Sequence, residues 1–221
     1  MKLKPTKMNR FFILILFSLL SVISQAQKNT ILIEAESFSN KGGWVVDPQF
    51  VEQMGSPYLL AHGMGIPVKN AHTIVSVKKT GLYHVWVRTK NWSPGKWEAP
   101  GRFHVAVDGK QLERELGKNP GWNWEYAGKI DLAKGERKLE LQDLTGFEGR
   151  CDAIYLTMSE SEKLPTEKEE LKKWRLTQSG GTAIPQKVVN YDLVVVGGGI
   201  AGCAAAIAAA EQGLKVALVH D

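Results

Sequence analysis

The sequence predicts a multidomain chain, an all-β sandwich followed by the first strand–helix–strand unit of an α/β domain. Two observations carry this. Residues 28–158 offer short β-branched and aromatic runs cut by Gly, Pro, Asn and Asp, with almost no helical periodicity. Residues 191–221 read YDLVVVGGGIAGCAAAIAAAEQGLKVALVHD, two apolar runs separated by G-x-G-x-x-G and an alanine-rich stretch.

Residues 1–26 open with Lys2, Lys4, Lys7 and Arg10 and no acid, then run apolar from Phe11 to Leu20 and on through Val22 and Ile23. Ser24-Gln25-Ala26 closes the stretch with small residues at the −3 and −1 places of a cleavage site before Gln27. These are the three parts of a secretory signal peptide, and the apolar run is too short to span a bilayer comfortably. The expectation is a secreted or periplasmic protein with no stable membrane anchor after signal cleavage. No Arg-Arg pair precedes the apolar run, so export in the unfolded state is expected.

The chain has 28 Lys+Arg against 23 Asp+Glu, and four of the basic residues leave with the signal. The remainder is near neutral and has no basic stripe, which excludes nucleic-acid binding. The two cysteines, Cys151 and Cys203, fall in different predicted domains, so no disulfide framework is expected.

Within 28–158 the strand runs are Ile31–Ala35, Trp44–Val46, Thr73–Val77, Leu82–Thr89, Phe103–Val107, Lys138–Leu141 and Ala153–Thr157. Asp108-Gly109 between Phe103–Val107 and Lys110–Leu112 is a strong hairpin signal. In Leu82–Thr89, Tyr83, Val85 and Val87 share the better core face, and Trp86 marks the opposite face as partly covered.

The segments IEAESF (Ile33–Phe38), GLYHVWVR (Gly81–Arg88) and GRCDAIYLT (Gly149–Thr157) resemble the galactose-binding-like jelly rolls, specifically carbohydrate-binding modules of families six and thirty-five. That resemblance implies a structural calcium held by the opening glutamates and a late aspartate. Here those are Glu34 and Glu36, two apart on one strand face, and Asp152. The other reading of the pair is two solvated acids on an edge strand. Aromatics gather in the turns: Trp92 and Trp97 about Ser93-Pro94-Gly95, and Trp122, Trp124 and Tyr126 after Pro120-Gly121. Trp92, Trp97, Trp122 and Trp124 are either platforms for pyranose rings, with Asn91 and Asn123 supplying amides, or caps on the sandwich core.

Residues 159–190 predict a helical linker. Thr166-Glu167-Lys168-Glu169 fits a capping box behind Pro165, and a charged helix to about Leu176 turns Leu171, Trp174 and Arg175 towards a neighbour. Gln178 to Thr182 breaks it.

In 191–221, Leu193–Val196 reads as a buried parallel strand and Lys215–Val219 as its partner. Gly197 permits the tight exit, Gly199 lets a pyrophosphate approach the backbone, and Gly202 lets the helix pack close. The helix N-terminus offers unpaired N–H groups and partial positive charge to that pyrophosphate. Gly213 is placed for the left-handed residue that ends the helix.

The stretch resembles the N-terminal FAD-binding segment of glutathione-reductase-type flavoprotein oxidoreductases, and most of all the FAD-dependent oxidoreductases of secreted polysaccharide-processing systems. Ala206 and Gly213 match that fingerprint's later small residue and glycine. The resemblance implies FAD held by Gly197, Gly198, Gly199, Ile200, Ala201 and Gly202. The place of the family's ribose-binding glutamate falls on His220, with Asp221 beside it. Cys203 reads as a small packing residue, and the five histidines show no metal-ligand spacing.

Such a domain needs more strands and a substrate domain, so the reading is the N-terminal part of an exported FAD-dependent oxidoreductase. It would pass hydride from a carbohydrate or carbohydrate-derived substrate to flavin, with this stretch inactive by itself. Two alternatives stand: a non-catalytic carbohydrate-binding module with a vestigial nucleotide segment, and a nicotinamide-dependent oxidoreductase.

Overall fold

A computed structural model describes residues 29–93, 98–179 and 189–219. The predicted signal peptide, Trp97, most of the break after Gln178, and His220 and Asp221 lie outside the described residues. The chain divides between Gly180 and Gly181 into two units.

The first unit is a β-sandwich. Its six-stranded sheet holds β1 (Thr30–Glu34), β2 (Trp44–Asp47), β3 (Tyr58–His62), β5 (Gly81–Thr89), β8 (Asn123–Leu132) and β10 (Phe147–Thr157), in the order β2-β3-β10-β5-β8. β1 and β3 share one edge of the long β10: β3 pairs with Phe147–Cys151 and β1 with Ala153–Thr157, all antiparallel. The four-stranded sheet orders β4 (Ala71–Val77), β9 (Gly135–Asp143), β6 (Phe103–Val107) and β7 (Lys110–Gln111) as β4-β9-β6-β7. Asp108 and Gly109 join β6 to β7 with φ of 50° and 78°, the left-handed pair that a two-residue hairpin turn demands.

The core lies between the sheets and follows strand alternation. Tyr83, Val85 and Val87 of β5 face Phe103, Val105 and Val107 of β6 and Leu139 and Leu141 of β9 within one cluster, with Cys151 fully buried among them. Two strands were not legible as such. β3 is a nearly fully buried run, YLLAH, and β8 begins inside the aromatic stretch that reads as a loop.

The outer face of the six-stranded sheet is partly covered. Helix α1 (Val51–Met54) and helix α2 (Lys168–Gln178) lie over it; Leu171 is fully buried, and Trp174 stacks edge-on against Tyr155 and Trp124 at 4.9 and 5.6 Å between ring centres. The predicted capping box does not form: the N-cap is Glu167, one residue later than Thr166, and no side chain caps the helix. No helix among the described residues is long and apolar enough to cross a membrane.

The second unit is a βαβ unit. Strands β11 (Leu193–Val196) and β12 (Val216–Val219) run parallel with Leu193 opposite Val216, joined by helix α3 (Ile200–Glu211). Gly213, at φ +83°, ends α3 in a Schellman motif: its N–H donates to Ala210 and that of Leu214 to Ala209. β11 was expected to be buried on both faces, yet Val194 and Val196 are exposed, and no described residue of this unit is fully buried.

Candidate functional site

The glycine turn builds its site from backbone. Gly197 ends β11 at φ +107°, where any side chain is strained, and its N–H donates to Val219 O at 2.9 Å. A Cβ on Gly202 would lie 1.9 Å from the Gly197 carbonyl oxygen, so the first turn of α3 sits directly on the strand exit. Gly199 is the N-cap, at φ −67° and ψ 176°, and no side chain caps α3. An added Cβ at Gly199 meets nothing within 4 Å. The first-turn N–H groups of Ile200, Ala201 and Gly202 lie at the N-terminus of a twelve-residue helix, the part of a helix that lacks internal acceptors. Asp192 braces the unit by accepting the Lys215 N–H at 2.7 Å. The Cys203 thiol lies 3.2 Å from Gly198 O and packs within the turn.

The sandwich holds a buried charge nest. The Asp152 carboxylate, 0 % exposed, accepts from Arg88 at 2.7 Å and from Arg175 of α2 at 2.5 Å, both on Oδ2, while Ser56 donates to Oδ1 at 3.1 Å. Arg175 also donates to Ser56 and lies 3.3 Å from Glu34. Burial pushes the Glu34 carboxyl up to about 7, against the pull of Arg175. Burial pushes Glu36 up to about 7 as well, and its Oε2 is buried with no hydrogen-bond partner among the described residues.

Glu34, Glu36 and Asp152, the residues expected to hold calcium, lie close enough to feel one another's charge, and guanidinium groups stand among them. The positive charge among them is guanidinium, and no group of three His, Cys, Asp or Glu among the described residues is placed to hold a metal ion. Asp152 Oδ2 accepts from both arginines and Oδ1 from Ser56, so three of its acceptor positions are taken by protein donors. Sequence reading singled out Arg175 as facing a neighbour. It missed Arg88 and Ser56, whose only signal was an arginine on the less apolar face of β5.

The four tryptophans separate. Trp124 is half-buried, edge-on to Tyr155 and Trp174, lines a cavity with Trp86 and Asn123, and its indole N–H donates to Pro165 O at 2.9 Å. Trp122 joins a cluster with Phe50 and Tyr58, 5.8 Å from the Arg88 guanidinium. Both are half-buried against the sheet. Trp92 is 38 % exposed at one end of the sandwich, beside Phe147 at 50 %, and donates to Phe147 O at 2.8 Å. Arg150 sits over the Trp92 ring at 5.9 Å and pairs with Glu148 at 3.1 Å. Asp143 organises this end by accepting the N–H groups of Val68, Thr145 and Gly146. The expected amides are spent locally: Asn91 accepts from Ser93 and Asn123 donates to Pro120.

Residues 192–221 match the family model of the FAD dependent oxidoreductases. A stretch of 44 residues, 20% of this chain, is 42% identical to dihydrolipoyl dehydrogenase 2, chloroplastic, of Arabidopsis thaliana and spans 8% of that protein. Among solved structures, the GH26-CBM35 β-(1,4)-mannanase of Podospora anserina is similar at a TM-score of 0.49 and 18% identity, over 77% of this chain and 37% of that one. A family 35 carbohydrate binding module from Clostridium thermocellum follows at 0.47 and 16%, over 57% of this chain and 96% of that one. The C-terminal CBM6 of LamC from Zobellia galactanivorans gives 0.43 and 21%, over 58% and 99%.

Proposed function

We propose that the glycine turn holds the pyrophosphate of FAD in an exported oxidoreductase whose sandwich recognises carbohydrate. The observation that carries the cofactor reading is Gly199. The backbone there is open to any residue and the space before its Cβ is empty, so neither conformation nor packing calls for glycine. A phosphate brought against the backbone does. Gly197 and Gly202, by contrast, are required by the fold itself.

When bound, FAD supplies hydride acceptance. This chain's own residues supply the seat: the N–H groups at the start of α3 donate to the anion, and the helix end adds favourable potential. His220 or Asp221 is placed in sequence to meet the adenosine ribose. One βαβ unit without a fully buried residue has neither the walls of a flavin site nor a core.

The carbohydrate reading rests on Trp92 and Phe147, exposed aromatic surface at a loop end, with the part-exposed Glu148 carboxylate, held by the buried Arg150, beside it for hydroxyls. Export rests on the leader, 1–26. The test is flavin retention by the enzyme carrying this segment, with Gly199→Val as the control and NAD as competitor. Loss of flavin in the variant with an intact sandwich supports the reading; equal retention by both overturns it.

A further inference from the structure

We infer that Arg175 is the resident cation of the Glu34–Glu36–Asp152 nest, so that helix α2, not a metal, completes the sandwich. The guanidinium lies 2.5 Å from Asp152 and 3.3 Å from Glu34, with its side chain 11% exposed, and it also donates to Ser56. With Arg88 it sets two positive charges against Asp152, Glu34 and Glu36. Two guanidiniums thus already stand among the three acids, with Asp152 bound by both of them. A dication added to that arrangement would stand beside two guanidiniums and would have to displace Arg175 from Asp152 and Glu34.

The geometry assigns α2 to the sandwich as an inserted ligand. Leu171 and Trp174 anchor the helix on the sheet, and Arg175, on the same helical face, reaches a carboxylate on β10. The guanidinium suits the place because its flat fork reaches Asp152, Ser56 and Glu34 together, which an ammonium does not.

The experiment is thermal melting of the full 221-residue chain, followed by near-UV circular dichroism, in millimolar calcium and in chelator. Wild type is expected to melt at the same temperature in both, since a ligand that binds the native state raises the melting point. Arg175→Met keeps the length but strands the acids, and is expected to melt about 10 °C lower; Arg175→Lys, which keeps the charge, retains more than half of that difference. A rise of several degrees for wild type in calcium overturns the inference. So does a methionine variant as stable as the lysine variant, because packing alone would then explain Arg175. If neither variant folds, the wild-type calcium comparison decides.

Discussion

Glu36 makes the stability of the sandwich fall as pH rises. Its carboxyl is pushed from 4.5 up to about 7, by burial first and by the neighbouring charges of Glu34 and Asp152 after that. The native state thus keeps a proton that the unfolded chain gives up near 4.5. The contribution is fully present below that pH and is lost as pH climbs through about 7. A shift of this size corresponds to about 3 kcal/mol for a wholly buried group, and to about 2 kcal/mol once the water at the partly exposed edge of Glu36 is allowed for. At this chain length that is about 6 °C of melting temperature. Glu36→Gln removes the ionisation while keeping shape. Melting curves at pH 4.5 and pH 8 should show the variant level with wild type at the lower pH and about 6 °C above it at the higher. An equal difference at both pH values would refute the argument, because the effect would then owe nothing to titration.

Three further outcomes follow from named contacts. Leu171→Ala empties a fully buried position on α2 and should cost about 3 kcal/mol, measured by denaturant unfolding of the sandwich signal; a cost below about 0.5 kcal/mol would mean the helix is not part of that unit. Trp92→Ala should weaken retention on insoluble polysaccharide at least tenfold with little change in melting temperature. Trp124→Ala, which removes the contacts to Tyr155 and Trp174, should do the reverse. Gly202→Ala should prevent the βαβ unit from forming, since its Cβ falls 1.9 Å from the Gly197 carbonyl, whereas Gly199→Ala should leave the helical circular dichroism of α3 unchanged.

What could be read from the sequence was whatever is encoded locally. The hairpin at Asp108-Gly109, the glycine stop at Gly213 and the alternation through Tyr83, Val85 and Val87 depend on neighbours a few residues apart, and each stands where the pattern placed it. β8 was hidden because Trp124 and Tyr126 take outward positions against other aromatic rings while the charged Glu125 turns inward, so the usual alternation is inverted in its first half. The nest was partly legible. The two opening acids and the late aspartate were visible, but Glu36 lies in the 3-10 turn Ala35–Ser37 just after β1 and not on the strand face that the spacing predicts, and the counter-charge arrives from Arg88 and Arg175, 64 and 23 residues away from Asp152. The tryptophans differ for the same reason: Tyr155 and Trp174, met through the fold, half-bury Trp124, while Trp92 stays exposed.

The most direct test of the cofactor reading is flavin content. The enzyme that carries residues 191–221 is purified with its own glycines and, separately, with Gly199→Val. The account predicts that the first holds one FAD per chain by visible absorbance or takes it up on reconstitution. The second should be colourless while its sandwich melts as before. A wild-type enzyme that stays colourless after incubation with FAD would contradict the account.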